Sequence, residues 1–466
     1  MKTKFFTYTV LCFLFSAYQS QAHVWALTLN GGGFGMGAII ICNNDGSGLN
    51  VAHSFQGPAG YHPYGNILMA SDGNLYGTCY DGGTYGSCTV FKFEPTTQIY
   101  TDVYSFDIMH GDYPRSGVVE GPGAKLYGAS SGGGASGGGV IYSYDINNAV
   151  YADLFDLTSF SGTIPYGNPI FHSDGKLYGM TTSGGLYGAG VIYSFDVTNN
   201  IYTDVLDFDG SNGSNPKGSL VEGTDGTLYG MTSSGGANSA GVLFSYNPSE
   251  AGFNKLFDFS AATGSIPQGT LTVGSDGKLY GMTSAGGINS LGVLFSYNPV
   301  NGIYTNLFNF NQADGATPLG SIMQSGNILC GATSAGGDYG LGVMFNFDMT
   351  NSTYTNVLNF NGSNGSNPNG AFLEVIATGT GSQQFSSTAT FYPSPASDQL
   401  NISFSSPLTE QTTFSLIDAA GKVVYSSVEL VTGGSKSIDV RSLPAGNYLI
   451  EIVTGNEKMT RQIIKE

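Results

Sequence analysis

The side chains best equipped for chemistry fall in two short segments, Gly60-Tyr61-His62-Pro63-Tyr64 and His110-Gly111-Asp112-Tyr113-Pro114-Arg115. Together they offer aromatic faces, two imidazoles and a carboxylate. Aromatic platforms flanked by polar groups suit sugar rings or peptide side chains, which makes Tyr61, His62, Tyr64, His110, Asp112 and Tyr113 the candidate ligand-binding residues. The plainer alternative is that these tyrosines and prolines pack their loops onto the body beneath. His62, His110 and Asp112 could ligate a metal, yet no short-range ligand motif connects them, and no metal or cofactor is expected. Neither a nucleophile elbow, which needs a strand running into a helix, nor a His-Glu-x-x-His helix is expected.

What must hold those segments is a repeat. Leu-Tyr-Gly recurs with its tyrosine at Tyr76, Tyr127, Tyr178, Tyr229 and Tyr280, 51 residues apart at each step, and degenerate copies at Trp25 and Cys330 make seven units. A glycine pair follows each anchor (Gly82-Gly83, Gly184-Gly185), and a third glycine follows twelve residues after it (Gly139, Gly190), with Cys88 as the one departure. Read from Ser219, a unit predicts four strands: Ser219 to Glu222, Leu228 to Thr232, Val242 to Tyr246, and a tyrosine-led segment like Tyr304 to Phe310. The Asp225-Gly226 pair between the first two is a hairpin signal. Runs such as Val242-Leu243-Phe244, apolar on consecutive residues, fit sheets covered on both faces. Four short strands in about 50 residues is propeller spacing, and the period of a helical solenoid is missing. The expectation is an all-β chain: a seven-bladed β-propeller over residues 23–376, followed by a small immunoglobulin-like β-sandwich.

Ring closure is predicted from where the units start and stop. The first unit opens at Trp25, in the second strand of a blade, so its inner strand must come from elsewhere. Asn369-Gly370-Ala371-Phe372-Leu373-Glu374-Val375 has the pattern of Lys217 to Glu222 and would supply it, abolishing open sheet edges. Strand parity puts the Gly-Gly loops and the connectors between blades on one face, opposite the Asp-Gly turns, and that loop-rich face is the expected binding surface. The innermost strands are expected to offer Leu220, Leu271 and Ile322, with an occasional Glu120 or Glu222.

The pattern resembles kelch propellers: Leu177-Tyr178-Gly179 runs to Gly184-Gly185, then Ser194-Phe195-Asp196, then Tyr202. It is more similar to the GloVer tandem repeats, whose Leu-Tyr-Gly-x-Thr-x-x-Gly-Gly and following Gly-Val-hydrophobic-Phe are matched by Leu228 to Phe244 and Leu279 to Phe295. The resemblance covers residues 25–376 and implies extracytoplasmic repeat proteins of no established activity.

Residues 1–22 read as a cleavable signal peptide: Lys2 and Lys4, an apolar run from Val10 to Phe15, then Ser20-Gln21-Ala22. No transmembrane segment is expected in the mature chain. Small polar residues 377–389 read as a linker. Residues 390–466 alternate short β runs with turns, and they resemble the C-terminal sorting domain of type IX secretion in Phe391-Tyr392-Pro393-Ser394-Pro395-Ala396, Asp418-Ala419-Ala420-Gly421-Lys422-Val423-Val424, Leu443-Pro444-Ala445-Gly446-Asn447-Tyr448 and Gln462-Ile463-Ile464-Lys465. That resemblance implies type IX secretion machinery as a partner and a product that is released or attached to the outer-membrane surface.

Charge narrows the partners. With 33 acidic against 15 basic residues the net charge is -18, which repels phosphate backbones, so no nucleic acid is expected. Arg115 is the one arginine before Arg441, so a clamp of several guanidiniums cannot form in the main body. Cys79 and Cys88 stand three and twelve residues past one anchor, on strands flanking a Gly-Gly loop, and are expected to form a disulfide; Cys42 and Cys330 read as small buried residues. The function expected is a secreted or cell-surface protein that binds an extracellular glycan, polymer or protein through its loop face, not an enzyme. The alternative is a secreted propeller hydrolase or lyase acting on polysaccharide.

Overall fold

The computed structural model describes residues 22–376 and, beyond them, 389–392, 398–404, 411–418, 423–431, 435–444, 446–454 and 457–465. Residues 1–21 of the expected signal peptide and 377–388 of the expected linker lie outside these. Two compact units divide the chain, one spanning Ala22–Val375 and one that includes Ile376–Glu466. Among the described residues the only helical turns are two short 3-10 segments, Gly57–Ala59 and Ile108–His110, and no helix is long and apolar enough to cross a membrane.

In the first unit the repeat becomes seven antiparallel sheets in succession. The fifth shows the pattern: Val221–Glu222, Leu228–Thr232, Val242–Asn247 and Gly252–Asp258, hydrogen-bonded in chain order. Its inner strand is shorter than the predicted Ser219 to Glu222 because Ser219 turns sideways, its N–H donating to the Thr270 hydroxyl of the next sheet (2.9 Å). The first sheet, Ala22–Asn30, Ala38–Asn43 and Asn50–Ser54, receives Ser366–Pro368 and Leu373–Ile376 from the far end of the unit. Thr28 pairs with Pro368, and Glu374 of the closing strand accepts from both Asn44 (2.8 Å) and Ser325 (2.6 Å), tying the first sheet to the seventh.

Apolar runs on consecutive residues bury both faces of each sheet, so one cluster fills each junction. Val242 and Phe244 of the fifth sheet meet Met180 and Ile192 of the fourth. Val24, Ile40 and Cys42 of the first meet Cys330 and Met344 of the seventh, so the last sheet packs on the first. Outer strands are joined by stacked rings: Tyr151 lies on Tyr104 at 3.8 Å and Tyr354 on Phe308 at 3.9 Å. The same tyrosines reach down to pin connectors, Tyr151 donating to the His110 carbonyl and Tyr354 to that of Asp314, both at 2.5 Å. On the opposite face the anchor tyrosines hold the turn aspartates, as Tyr76 does Asp72 (2.8 Å) and Tyr280 does Asp276 (2.9 Å).

Near the axis each unit carries X-Pro-Z followed by a small residue: His62-Pro63-Tyr64-Gly65, Tyr113-Pro114-Arg115-Ser116, and so on to Asn367-Pro368-Asn369-Gly370. The glycines let neighbouring inner strands touch backbone to backbone. A Cβ on Gly320 would stand 2.3 Å from the Gly370 carbonyl oxygen, and one on Gly370 would stand 2.2 Å from that of Gly65. Residue X is left-handed in all seven copies, including Ile164, Ile266 and Thr317 at φ of 59°, 56° and 53°. A β-branched side chain there is strained. Asn215 and Asn367 answer the same geometry by donating from Nδ2 to the Thr182 and Ser334 carbonyls of the preceding sheet (3.3 and 2.8 Å). Ile266→Asn, placed to reach Ser233 in the same way, is expected to stabilise the protein by about 1 kcal/mol, read as a higher urea midpoint at unchanged slope.

The expected disulfide does not form: Cys79 and Cys88 are both free and buried. Cys79 is paired in register with Thr89, one residue past Cys88, so the two side chains project from opposite faces of their sheet. Cys79 packs among Trp25, Phe91 and Phe93 toward the first sheet, and Cys88 packs with Tyr142 and Val140 toward the third. Cys42 and Cys330 are buried.

The second unit has two sheets, Ala389–Tyr392 with Gln399–Phe404 and Ser435–Asp439, and Val423–Leu430, Gln411–Asp418, Gly446–Thr454 and Glu457–Lys465. Leu400, Ile402 and Ile438 from one and Phe414, Ile450 and Ile452 from the other form a single core. Much of the sorting-type sequence pattern, including Pro393 to Ala396 and Ala419 to Lys422, lies outside the described residues.

Candidate ligand-binding site at the channel mouth

The Z residues of the seven X-Pro-Z segments, Tyr64, Arg115, Tyr166, Lys217, Gln268, Leu319 and Asn369, all line one cavity of about 50 Å³ where the sheets converge. The next residues but one bind round the circle: Gly117 N–H to Asn168 (2.7 Å), Thr270 N–H to Ser321 (2.9 Å), and Ala371 N–H to Asn66 (2.8 Å) across the closure. Because every sheet contributes one Z side chain from the same backbone register, the chemistry at the mouth is set one residue per repeat.

Those side chains form a stacked group. Arg115 lies over the rings of Tyr166 (5.0 Å) and Tyr80 (5.4 Å), and its Nη2 donates to the Tyr80 hydroxyl (3.3 Å). Lys217 also faces Tyr166 (5.7 Å) and donates to Gln268 (3.2 Å). The hydroxyls of Tyr64 and Tyr166 meet at 2.6 Å, and burial, followed by this neighbouring phenol, pushes the Tyr64 pKa well above the usual range. Asn369 lies beside Tyr64, its amide acting on the phenol through a contact short of full hydrogen-bond geometry, and the buried Nε of Arg115 is unpartnered.

Opening off this cavity is a bowl of about 300 Å³ lined by Leu29, His62, Tyr64, Tyr80, Asp81, Arg115 and Tyr166. Of the residues expected from sequence, it gathers His62 and Tyr64 directly, with Tyr113 at its edge, exposed and 5.0 Å from the Tyr80 ring. His62 bonds Asp81 through Nδ1 at 2.8 Å. Tyr61 packs edge-on against His62 and joins the core beneath. His110 and Asp112 do not face the bowl. His110 is held by Asp107 (2.7 Å), which raises its pKa, while Asp112 is buried, accepts from the Tyr113 N–H (3.0 Å) and has its pKa raised by that burial. Among the described residues no three His, Cys, Asp or Glu side chains converge as a metal group would require.

Sequence reading passed over Tyr80, Asp81, Arg115, Tyr166, Lys217, Gln268 and Asn369. For Arg115, Tyr166, Lys217, Gln268 and Asn369 the signal is the residue after the proline of each unit, read down the repeat as a column, which does not reach Tyr80 and Asp81. Leu220, Leu271 and Ile322, expected at the axis, are instead buried between sheets. Glu120 and Glu222 are spent on the opposite face, accepting from the N–H groups of Ser71 (2.7 Å) and Ser173 (3.1 Å) in adjacent turns. Gly134 to Gly138, whose letters spell Gly-x-Ser-x-Gly, is a hairpin loop between Lys125–Ser130 and Val140–Asp145 with no helix behind it. The Gly-Gly loops do share the mouth's face, since Gly134 N–H donates to the Ile108 carbonyl and Gly236 N–H to that of Gly210, both in connectors.

The Gloeobacter/Verrucomicrobia repeat model matches residues 16–224 and 166–388, most of the chain. The chain belongs to that family. In this Gloeobacter/Verrucomicrobia repeat protein residues 390–466 match a secretion system C-terminal sorting domain, which supports export to the cell surface or extracellular space and an interaction with the type IX machinery. No curated protein matches its sequence. Solved structures share its fold alone: candidate 6-phosphogluconolactonases from Bacteroides uniformis and Bacteroides fragilis are each 15% identical with a TM-score of 0.54, covering 77% of this repeat protein and 100% and 99% of their own chains. A Mycobacterium tuberculosis puromycin-hydrolyzing peptidase is 11% identical with a TM-score of 0.50, covering 83% of this chain and 58% of its own.

Proposed function

We propose that the protein is an exported, kelch-like seven-bladed β-propeller that binds an extracellular glycan at its channel mouth. Its domains are a signal peptide over 1–22, the propeller over 23–376, a linker over 377–389, and an immunoglobulin-like sorting sandwich over 390–466. The observation that carries the binding reading is the bowl itself, where Tyr64, Tyr80, Tyr113 and Tyr166 surround His62, Asp81 and Arg115. Ring faces beside a few fixed polar groups are what sugar recognition needs. Exposed Phe34, Tyr85, Tyr187 and Tyr339 on the Gly-Gly loops extend the aromatic surface around the same face.

A binding role is favoured over hydrolysis because the bowl holds one carboxylate, Asp81, engaged by His62, where glycosidic hydrolysis ordinarily employs a pair of acids. Glycan-array screening of the mature chain tests the reading. Tyr80→Ala and Tyr113→Ala are each expected to weaken the bound glycan by roughly tenfold while leaving thermal unfolding nearly unchanged for the exposed Tyr113. An array with no hits, hits that survive both changes, or turnover of a bound polysaccharide would each overturn it.

A further inference from the structure

Resting on that reading, the structure assigns a charge to the ligand: we propose that the glycan is acidic and that a uronic-acid carboxylate enters the central cavity beside Arg115 and Lys217. The first support is charge. In a chain with 33 acids and 15 bases, Lys92, Lys255 and Lys278 each hold a carboxylate, at 2.7, 3.0 and 2.8 Å. Among the described residues Arg115 and Lys217, like Lys125 and Lys176, have none within ion-pair reach, and of these four it is Arg115 and Lys217 that line the cavity where the sheets converge. A partly buried cation without a counter-ion is costly unless something supplies the opposite charge.

The second support is unmet hydrogen bonding. Buried polar atoms nearly always find partners. Here the Nε of Arg115 has none and the amide of Asn369 makes only a loose contact with the Tyr64 phenol, and both residues line the same cavity. An acceptor between them would take the guanidinium N–H and the amide N–H together. Arginine keeps its charge at any physiological pH, and its fixed fork matches a carboxylate.

The third is size. The cavity is much the smaller of the two spaces, about 50 Å³ against about 300 Å³ for the bowl, and so suits a compact polar group better than a ring. The adjoining bowl of about 300 Å³ shares Tyr64, Arg115 and Tyr166 with it and has room for the ring that bears the acid. A sugar ring on tyrosine faces with its carboxylate directed inward satisfies both spaces at once.

Titration calorimetry on the mature full-length chain tests this with tri-galacturonate, its methyl ester and a sulfated neutral trisaccharide. Tri-galacturonate is expected to bind, with the ester weaker by about thirtyfold or more and the affinity falling as salt rises. Arg115→Gln and Lys217→Gln are each expected to lower affinity for the acid by roughly tenfold and so to narrow the ratio of acid to ester affinity, with thermal melts confirming that both variants fold. Equal affinity for acid and ester, no binding of the acid, or preference for the sulfated sugar would overturn the inference. If neutral glycans bind and depend on Tyr80 and Tyr113 while the acid does not, the glycan-binding reading survives and the carboxylate falls alone.

Discussion

Gly320→Ala is expected to open the ring. The added methyl would stand 2.3 Å from the Gly370 carbonyl oxygen, and the obstacle is backbone in the bend between Ser366–Pro368 and Leu373–Ile376, where Gly370 is itself pressed against Gly65. Neither neighbour can yield without moving a sheet, so the loss should exceed ordinary overpacking, on the order of 3 kcal/mol or more. Gly73→Ala is the comparison. Gly73 has φ of 80° with nothing near its missing Cβ, and its cost should be the left-handed strain alone, about 1 kcal/mol. The readout that separates opening from general weakening is thiol labelling. Cys42 and Cys330 lie in the cluster between the first and seventh sheets, and burial pushes their pKa values up to about 11 and about 12. They should resist a thiol reagent in the native protein and in Gly73→Ala, and label readily in Gly320→Ala. Unchanged labelling in Gly320→Ala would mean that the joint does not depend on backbone contact.

Deleting residues 390–466 is expected to leave the protein folded but in the periplasm, an all-or-none change in location. The first unit closes with Ser366–Pro368 and Leu373–Ile376, and among the described residues the clusters at its sheet junctions contain none past Val375. Its thermal unfolding should therefore be indifferent to the deletion. Location should not, because the matched sorting segment is the address that the secretion machinery reads. Fractionation with a surface-protease challenge measures this, and undiminished export of the shortened chain would refute the assignment.

How far the sequence carries depends on which physics is local. Strand order and closure were legible because Leu-Tyr-Gly and the glycine columns repeat at fixed spacing, and Ala371 to Val375 visibly lacks a unit of its own. The disulfide expectation failed because register across the Gly82-Gly83 loop cannot be counted from spacing. That loop contains an irregular Gly82–Ser87 bridge, and one residue of slip sends Cys79 and Cys88 to opposite faces. The glycine twelve residues past all anchors but one was visible without its reason: Gly292 has φ of 107°, and a Cβ there would stand 2.3 Å from the Thr283 carbonyl oxygen and 2.8 Å from the ring of Pro318. Three of the six residues expected from sequence, His62, Tyr64 and Tyr113, meet at the bowl. The rest of the site was hidden because Arg115, Tyr166, Lys217 and Asn369 look ordinary singly and converge only when repeats far apart in sequence are brought round one axis.

The strand that completes the first sheet, Leu373–Ile376, is followed almost at once by the sorting segment at 390–466. A polypeptide grows from its N-terminus, so both are made after the seven sheets that precede them. Any product broken off early, by a stalled ribosome or a protease, lacks its latch and its delivery label together. A chain that stops before Leu373 therefore carries neither the strand that completes its first sheet nor the segment matched to export.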